Sequence, residues 1–239
     1  MKPEKLYDNI HGIYDKRHML SPSTLWMKSN EDNIIRKLKG RTLDIGCGTG
    51  YDLKLLEDAV GLDPSQKMLD MAKSAGKELV LGKAESLPFP DESFDNAICL
   101  FGTLNMCDYR KAIAEMGRVV KPGGLVVISV ASVWDRGYGM LKRFRIKHPA
   151  MDKSLTIDGN RMNIVLFGKD ELVSLFAKNG MEIVKFRSLF KFKNPLWGNW
   201  NPLSLWSSLK LHLDLLPVLG SYGAMYVMVF KKTESNKKQ

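Results

Sequence analysis

An aspartate, three glycines and a second aspartate are the residues of this chain best suited to do chemistry. They stand in Leu43-Asp44-Ile45-Gly46-Cys47-Gly48-Thr49-Gly50 and in Gly61-Leu62-Asp63-Pro64. Glycines that follow an apolar run and precede a helix let the backbone approach a ligand closely, with helix N–H groups aimed at it. A carboxylate at the end of the next apolar run is placed to accept hydrogen bonds from ribose hydroxyls. The glycine spacing departs from the GxGxxG of dinucleotide enzymes, because Tyr51 stands where the third glycine belongs. Asp44 puts a negative charge at the mouth of the turn, where it would repel a diphosphate and attract a cation. Asp63 has little other use, since a lone acid ending an apolar strand is costly unless it finds partners.

Such residues need a scaffold, and the apolar pattern supplies one. Short apolar runs, read as strands, fall at Thr42–Ile45, Ala59–Leu62, Leu79–Leu81, Asn96–Phe101, Leu125–Val133, Glu182–Ser188 and Ala224–Lys231. Helical stretches fall between them at Tyr51–Glu57, around Met68 to Ala72, at Arg110–Val120 and at Asp170–Lys178. Lys121-Pro122-Gly123-Gly124 is expected to stop the third of these, since proline cannot continue a helix. Alternation of this kind predicts an α/β fold: a Rossmann-like, seven-stranded, mostly parallel sheet with helices on both faces and an antiparallel last strand. The whole chain, 1–239, reads as one domain. A helical cap over residues 1–40, broken at Ser21–Thr24, precedes the sheet, and long connections at 132–168 and 190–223 interrupt it. Connections of that length usually carry binding function, so both are expected to shape a substrate site.

Five segments, in order, resemble class I S-adenosylmethionine-dependent methyltransferases of the ubiquinone/menaquinone-methyltransferase-like group. They are Tyr7-Asp8 with Tyr14-Asp15, LDIGCGTG at Leu43–Gly50, GLDPSQKML at Gly61–Leu69, KAESLPFPDESFD at Lys83–Asp95, and EMGRVVKPGGLVVIS at Glu115–Ser129. The resemblance implies S-adenosyl-L-methionine as cofactor. It implies that Gly46 and Gly48 pack against the cofactor, that Asp44 holds its amino group and that Asp63 binds its ribose. Pro64 and Met68 would flank the adenine, Ala84 and Glu85 would meet its edge, Leu100 would touch the methionine part and Tyr14 would close over it.

The resemblance also implies direct in-line transfer, in which alignment of donor and acceptor is the protein's main contribution. A general base is needed only for an acceptor that arrives protonated, and no residue declares itself as one. Asn105, Tyr138 and His148 are the candidates to face the acceptor. The Asn/Asp-Pro-Pro-Tyr/Phe motif of amino-methylating enzymes is missing after Asn96–Phe101, and neither Cys99 nor Cys107 follows a proline as a cytosine-attacking thiol would. The three cysteines form no CxxC pair and the four histidines are scattered, so neither disulfide nor metal is expected.

A net charge of +10 raises the alternative of an RNA methyltransferase, but no RRM or KH sequence accompanies it. A non-catalytic protein that only binds the cofactor is the other alternative. Trp197, Trp200 and Trp206 among many leucines favour a lipophilic small-molecule acceptor, with peripheral lipid contact through 195–223, while Lys142, Arg143, Arg145 and Lys147 would suit an anionic one. The opening residues form no secretory signal and no segment is long enough to span a membrane, so a cytoplasmic location is expected.

Overall fold

β1 (Thr42–Ile45) and β2 (Ala59–Asp63) are buried along their whole length, as strands must be when both faces of a sheet are covered. The computed structural model describes residues 4–9, 22–133, 150–157, 160–189 and 225–234. The other strands are β3 (Glu78–Leu81), β4 (Phe94–Cys99), β5 (Val120–Ala131), β6 (Met151–Ile157), β7 (Asn160–Leu166), β8 (Met181–Leu189) and β9 (Met225–Lys232). The helices are α1 (residues 4–9), α2 (Pro22–Ile35), α3 (Gln66–Ala72), α4 (Tyr109–Val119) and α5 (Lys169–Lys178).

The main sheet has seven strands in the order β3-β2-β1-β4-β5-β9-β8. The pairs from β3 to β5 are parallel, and β9 runs antiparallel to both of its neighbours, as the sequence predicts for the last strand. Strand order reverses at β1, because the chain adds β2 and β3 on one side of it and β4 and β5 on the other. The ends of β1 and β4 therefore diverge into a crevice, the place where open α/β sheets bind ligands.

Period-two alternation sorts the strand side chains into two cores. Ala97, Cys99, Val126 and Ile128 join Ala112, Ile113 and Met116 of α4 and Phe176 of α5 on one face. Ile98, Val127 and Val229 join Ile35 of α2 and Leu69 of α3 on the other. On the first face Phe176 stacks on Phe230 with ring centroids 3.8 Å apart. Helices thus cover both faces, which is why the strands read as near-continuous apolar runs.

Several boundaries differ from the sequence reading. α2 begins inside the expected Ser21–Thr24 break, at Pro22, a residue whose missing N–H costs nothing in a first turn; Ser21 lies outside the described residues. Tyr51–Glu57 holds only a single tight turn of helix, Asp52–Leu55. Lys121 to Gly124 do stop α4, but they lie inside β5: Val120 pairs with Phe94, the chain loops out, and Leu125 resumes against Asn96. The connection at 132–168 is not without structure of its own, since β6 and β7 form an antiparallel hairpin within it. Residues 190–223, with the three tryptophans, lie outside the described residues.

Candidate functional site

The turn after β1 is built from left-handed glycines, and each has its own reason. Gly46 has φ +77°, and a Cβ there would stand 2.4 Å from the Thr103 side-chain oxygen. Gly48 has φ +53°, and a Cβ there would meet nothing within 4 Å, because it would project into open space. The turn is fastened to β2 by the amides of Gly46 and Cys47, both of which donate to the Leu62 carbonyl, at 2.7 and 3.1 Å.

Asp63 completes that fastening. Its Oδ2 accepts from the Gly48 amide at 3.0 Å and its Oδ1 from the Ser65 amide at 2.8 Å. A carboxylate has about four acceptor positions, so each oxygen keeps one for a ligand. The side chain is buried, and burial pushes its pKa up to about 6 against the lowering effect of the Ser65 and Gly48 amides. Ser65 in turn caps α3 by accepting from the Met68 amide, and it donates its hydroxyl proton to Asp8 of α1.

These residues border a cavity of about 280 Å³. Of the residues the resemblance implies as cofactor contacts, Gly46, Gly48, Asp63, Pro64, Met68, Ala84, Glu85 and Leu100 line it. Glu85 has a second task, since its carboxylate accepts from the Asp108 amide at the start of α4. Asp44 lies behind the wall, 1% exposed, and its Oδ2 has no hydrogen-bond partner. Burial, then Asp52, push its pKa well above the usual carboxylate range, while Lys28 opposes them. Tyr14, Tyr138 and His148 fall outside the described residues.

Asn105 is the candidate the structure places elsewhere. It does not line the cavity, and its side chain is spent on backbone. Its Nδ2 donates to the carbonyls of Ala131 and Val165, and its Oδ1 accepts from the Ala131 amide at 2.9 Å. It ties the Thr103–Asn105 turn to β5 and β7. It does not cap α4 either, because Asp108 does.

Other wall residues carry no role in the sequence reading. Tyr7 and Glu4 of α1 close one side, with the Tyr7 hydroxyl donating to the Met106 sulfur at 3.3 Å and Glu4 paired to Lys83 at 3.3 Å. Phe101 lines the cavity just past β4 at φ +54°, held there by the hydrogen bond its backbone N–H donates to the Ser129 hydroxyl oxygen. Cys107 also faces the cavity, but burial, then Glu85, push its thiol up to about 12, so it stays protonated at neutral pH. Arg118 fixes the loop carrying Ala84 and Glu85 by donating to the carbonyls of Leu87 and Phe89. Tyr7, Lys83 and Arg118 lie within the quoted segments, whereas Glu4, Phe101, Met106 and Cys107 do not.

Comparison with known proteins follows the same outline. Residues 43–128 match the family model described as a methyltransferase domain. An uncharacterised protein of Methanocaldococcus jannaschii is 36% identical over 196 residues, 76% of each chain. Demethylmenaquinone methyltransferase of Lysinibacillus sphaericus is 31% identical over 208 residues, 77% of this chain and 89% of the relative. Among solved structures, a SAM-dependent methyltransferase from Thermotoga maritima shares the fold with a TM-score of 0.65 and 23% identity, over 96% of this chain and 99% of that one. A Burkholderia thailandensis 1,6-didemethyltoxoflavin-N1-methyltransferase, solved with S-adenosylhomocysteine, shares it with a TM-score of 0.58 and 17% identity, over 96% and 88%.

Proposed function

We propose, from the premise that this chain belongs to the class I S-adenosylmethionine-dependent methyltransferases of the menaquinone-methyltransferase-like group, that its methyl acceptor is a small lipophilic molecule.

The site fits the cofactor on its own geometry. Asp63 has acceptor positions left for a ribose diol, and Gly48 leaves room for close backbone approach. The orphaned Oδ2 of Asp44 is a buried acceptor in want of a cation. When bound, S-adenosylmethionine supplies an activated methyl group on a sulfonium. The chain's own residues fix where that group points and exclude water from it.

One observation carries the acceptor reading: the cavity wall beyond β4 is apolar and backed by more apolar packing. Tyr7 and Met106 line the cavity and pack on Leu6, Val133, Met162, Ile164 and Leu166, five buried side chains from α1, the end of β5 and the β6–β7 hairpin. The Tyr7 hydroxyl is already directed to the Met106 sulfur. A hydrophobic ring would lose little on entering such a wall, whereas a polar acceptor would leave hydrogen bonds unmade. Several relatives named demethylmenaquinone methyltransferases, at 30 and 31% identity, support the same reading.

The test is transfer of labelled methyl from the cofactor to a panel of acceptors: a reduced naphthoquinone, alkyl phenols, histamine and bulk RNA. Label is expected in the organic-soluble quinol or phenol products. Label confined to RNA or to histamine would overturn the proposal.

A further inference from the structure

Three carboxylates share one ammonium behind the cofactor site, and their charges do not balance. α2 contributes Lys28 and Glu31, the Asp52–Leu55 turn contributes Asp52, and β1 contributes Asp44. Lys28 is 3% exposed, Glu31 0% and Asp44 1%. The Lys28 Nζ lies 2.7 Å from Asp52 Oδ1 and 2.9 Å from Glu31 Oε2. Full ionisation would leave two uncompensated negative charges out of contact with water, which like charges at close range resist. Glu31 is held by the Lys28 ion pair, whereas Oδ2 of Asp44 has no hydrogen-bond partner.

We propose that this cluster retains a proton on its carboxylates while the cofactor is absent and releases it when the cofactor's ammonium comes to rest in the cavity whose wall Asp44 backs. The positive charge of the ammonium takes the place of the departing proton, which passes to solvent, and no other bond is made or broken. Glu31, Asp44 and Asp52 hold the proton among them, because burial raises all three and Lys28 can neutralise only one. Burial is the largest influence on Glu31 and Asp44 and raises both, whereas Lys28 stays charged because Glu31 and Asp52 outweigh its own burial.

The other groups around the cluster are accounted for. From α2, Asp32 accepts the Tyr51 hydroxyl at 3.1 Å, and the Tyr51 ring lies 4.8 Å from Lys28 Nζ. The Cys47 thiol in the glycine turn is pushed far up by burial, then by Asp44, and stays neutral. Ser129 of β5 presents a hydroxyl to Glu31 that favours its ionised form. From β2 comes Asp63, which ionises at about 6 and would add a pH dependence of its own. That contribution can be subtracted, because 5′-methylthioadenosine keeps the ribose and lacks the ammonium.

The experiment is calorimetric titration of the full chain at pH 6.5 with S-adenosylhomocysteine and with 5′-methylthioadenosine, each in two buffers of different ionisation enthalpy. At that pH the homocysteine amine is protonated, its ordinary value being about 8. S-Adenosylhomocysteine is expected to release close to one proton more than 5′-methylthioadenosine. Its affinity relative to that ligand should rise by up to about tenfold per pH unit. Equal proton exchange for the two ligands would overturn the proposal. Glu31→Gln keeps the shape and removes one proton site, and should cut the excess release at least by half; an unchanged excess would overturn the assignment to this cluster. Should that variant not fold, the two-ligand comparison on the natural chain decides alone. Binding of neither ligand would instead overturn the cofactor assignment on which the proposal rests.

Discussion

The Oδ2 of Asp63 accepts the Gly48 amide proton at 3.0 Å, so the acid that ends β2 also fixes the glycine turn that ends β1. Ligand contact and scaffold are joined in one side chain. Replacing it with alanine removes a ribose acceptor and frees the turn together. Asp63→Ala should weaken S-adenosylhomocysteine binding by about 2–4 kcal/mol, roughly thirty- to thousandfold. Titration calorimetry checks this, and a change of threefold or less would contradict it.

The same residue sets a pH dependence. Burial raises its folded pKa to about 6, above its unfolded value, so its contribution to stability is full at low pH and is lost as pH rises through about 6. Ribose binding runs the other way, because the ionised carboxylate is the better acceptor. Affinity for 5′-methylthioadenosine should be nearly flat from pH 7 to 8 and about tenfold weaker at pH 5. An affinity that did not change between pH 7 and 5 would show that Asp63 does not bind the ribose in its ionised form.

Gly46 and Gly48 should separate folding from binding. Gly46→Ala drives a Cβ against Thr103 at a left-handed φ and should cost about 1–3 kcal/mol of stability, read as a lower Tm. Gly48→Ala meets no protein atom and should cost only about 1–2 kcal/mol, from its left-handed backbone, yet weaken cofactor binding because the new methyl group occupies cavity space. Equal Tm and equal affinity in the two variants would contradict the division of roles.

Asn105→Ala tests a latch against an acceptor contact. Loss of the bonds to Ala131 and Val165 should cost about 1–3 kcal/mol and lower the Tm. The surviving folded fraction, assayed well below its Tm, should keep an unaltered KM for the acceptor. A raised KM with an unchanged Tm would place Asn105 in the acceptor site after all.

The sequence by itself determined the sheet, the glycine turn and the acid nineteen residues beyond Asp44, because each rests on short-range spacing. A strand of four or five apolar residues, a turn of glycines and an acid at a strand end report their surroundings locally. Pro64, Met68, Ala84, Glu85 and Leu100 were legible only through the resemblance of the quoted segments to a family, and the structure brings all five to one cavity. What sits behind that cavity was not legible. Lys28 and Glu31 look like any solvated pair three residues apart on a helix, and their burial follows only when α2 packs over the Asp52–Leu55 turn and the face of β4 and β5. Asn105 looked free to face a substrate until the β6–β7 hairpin brought the Val165 carbonyl to it, across 60 residues of chain. Tertiary structure decided these because the cost of an unpaired charge or an unmade hydrogen bond depends on what else is buried beside it, and no local pattern records that.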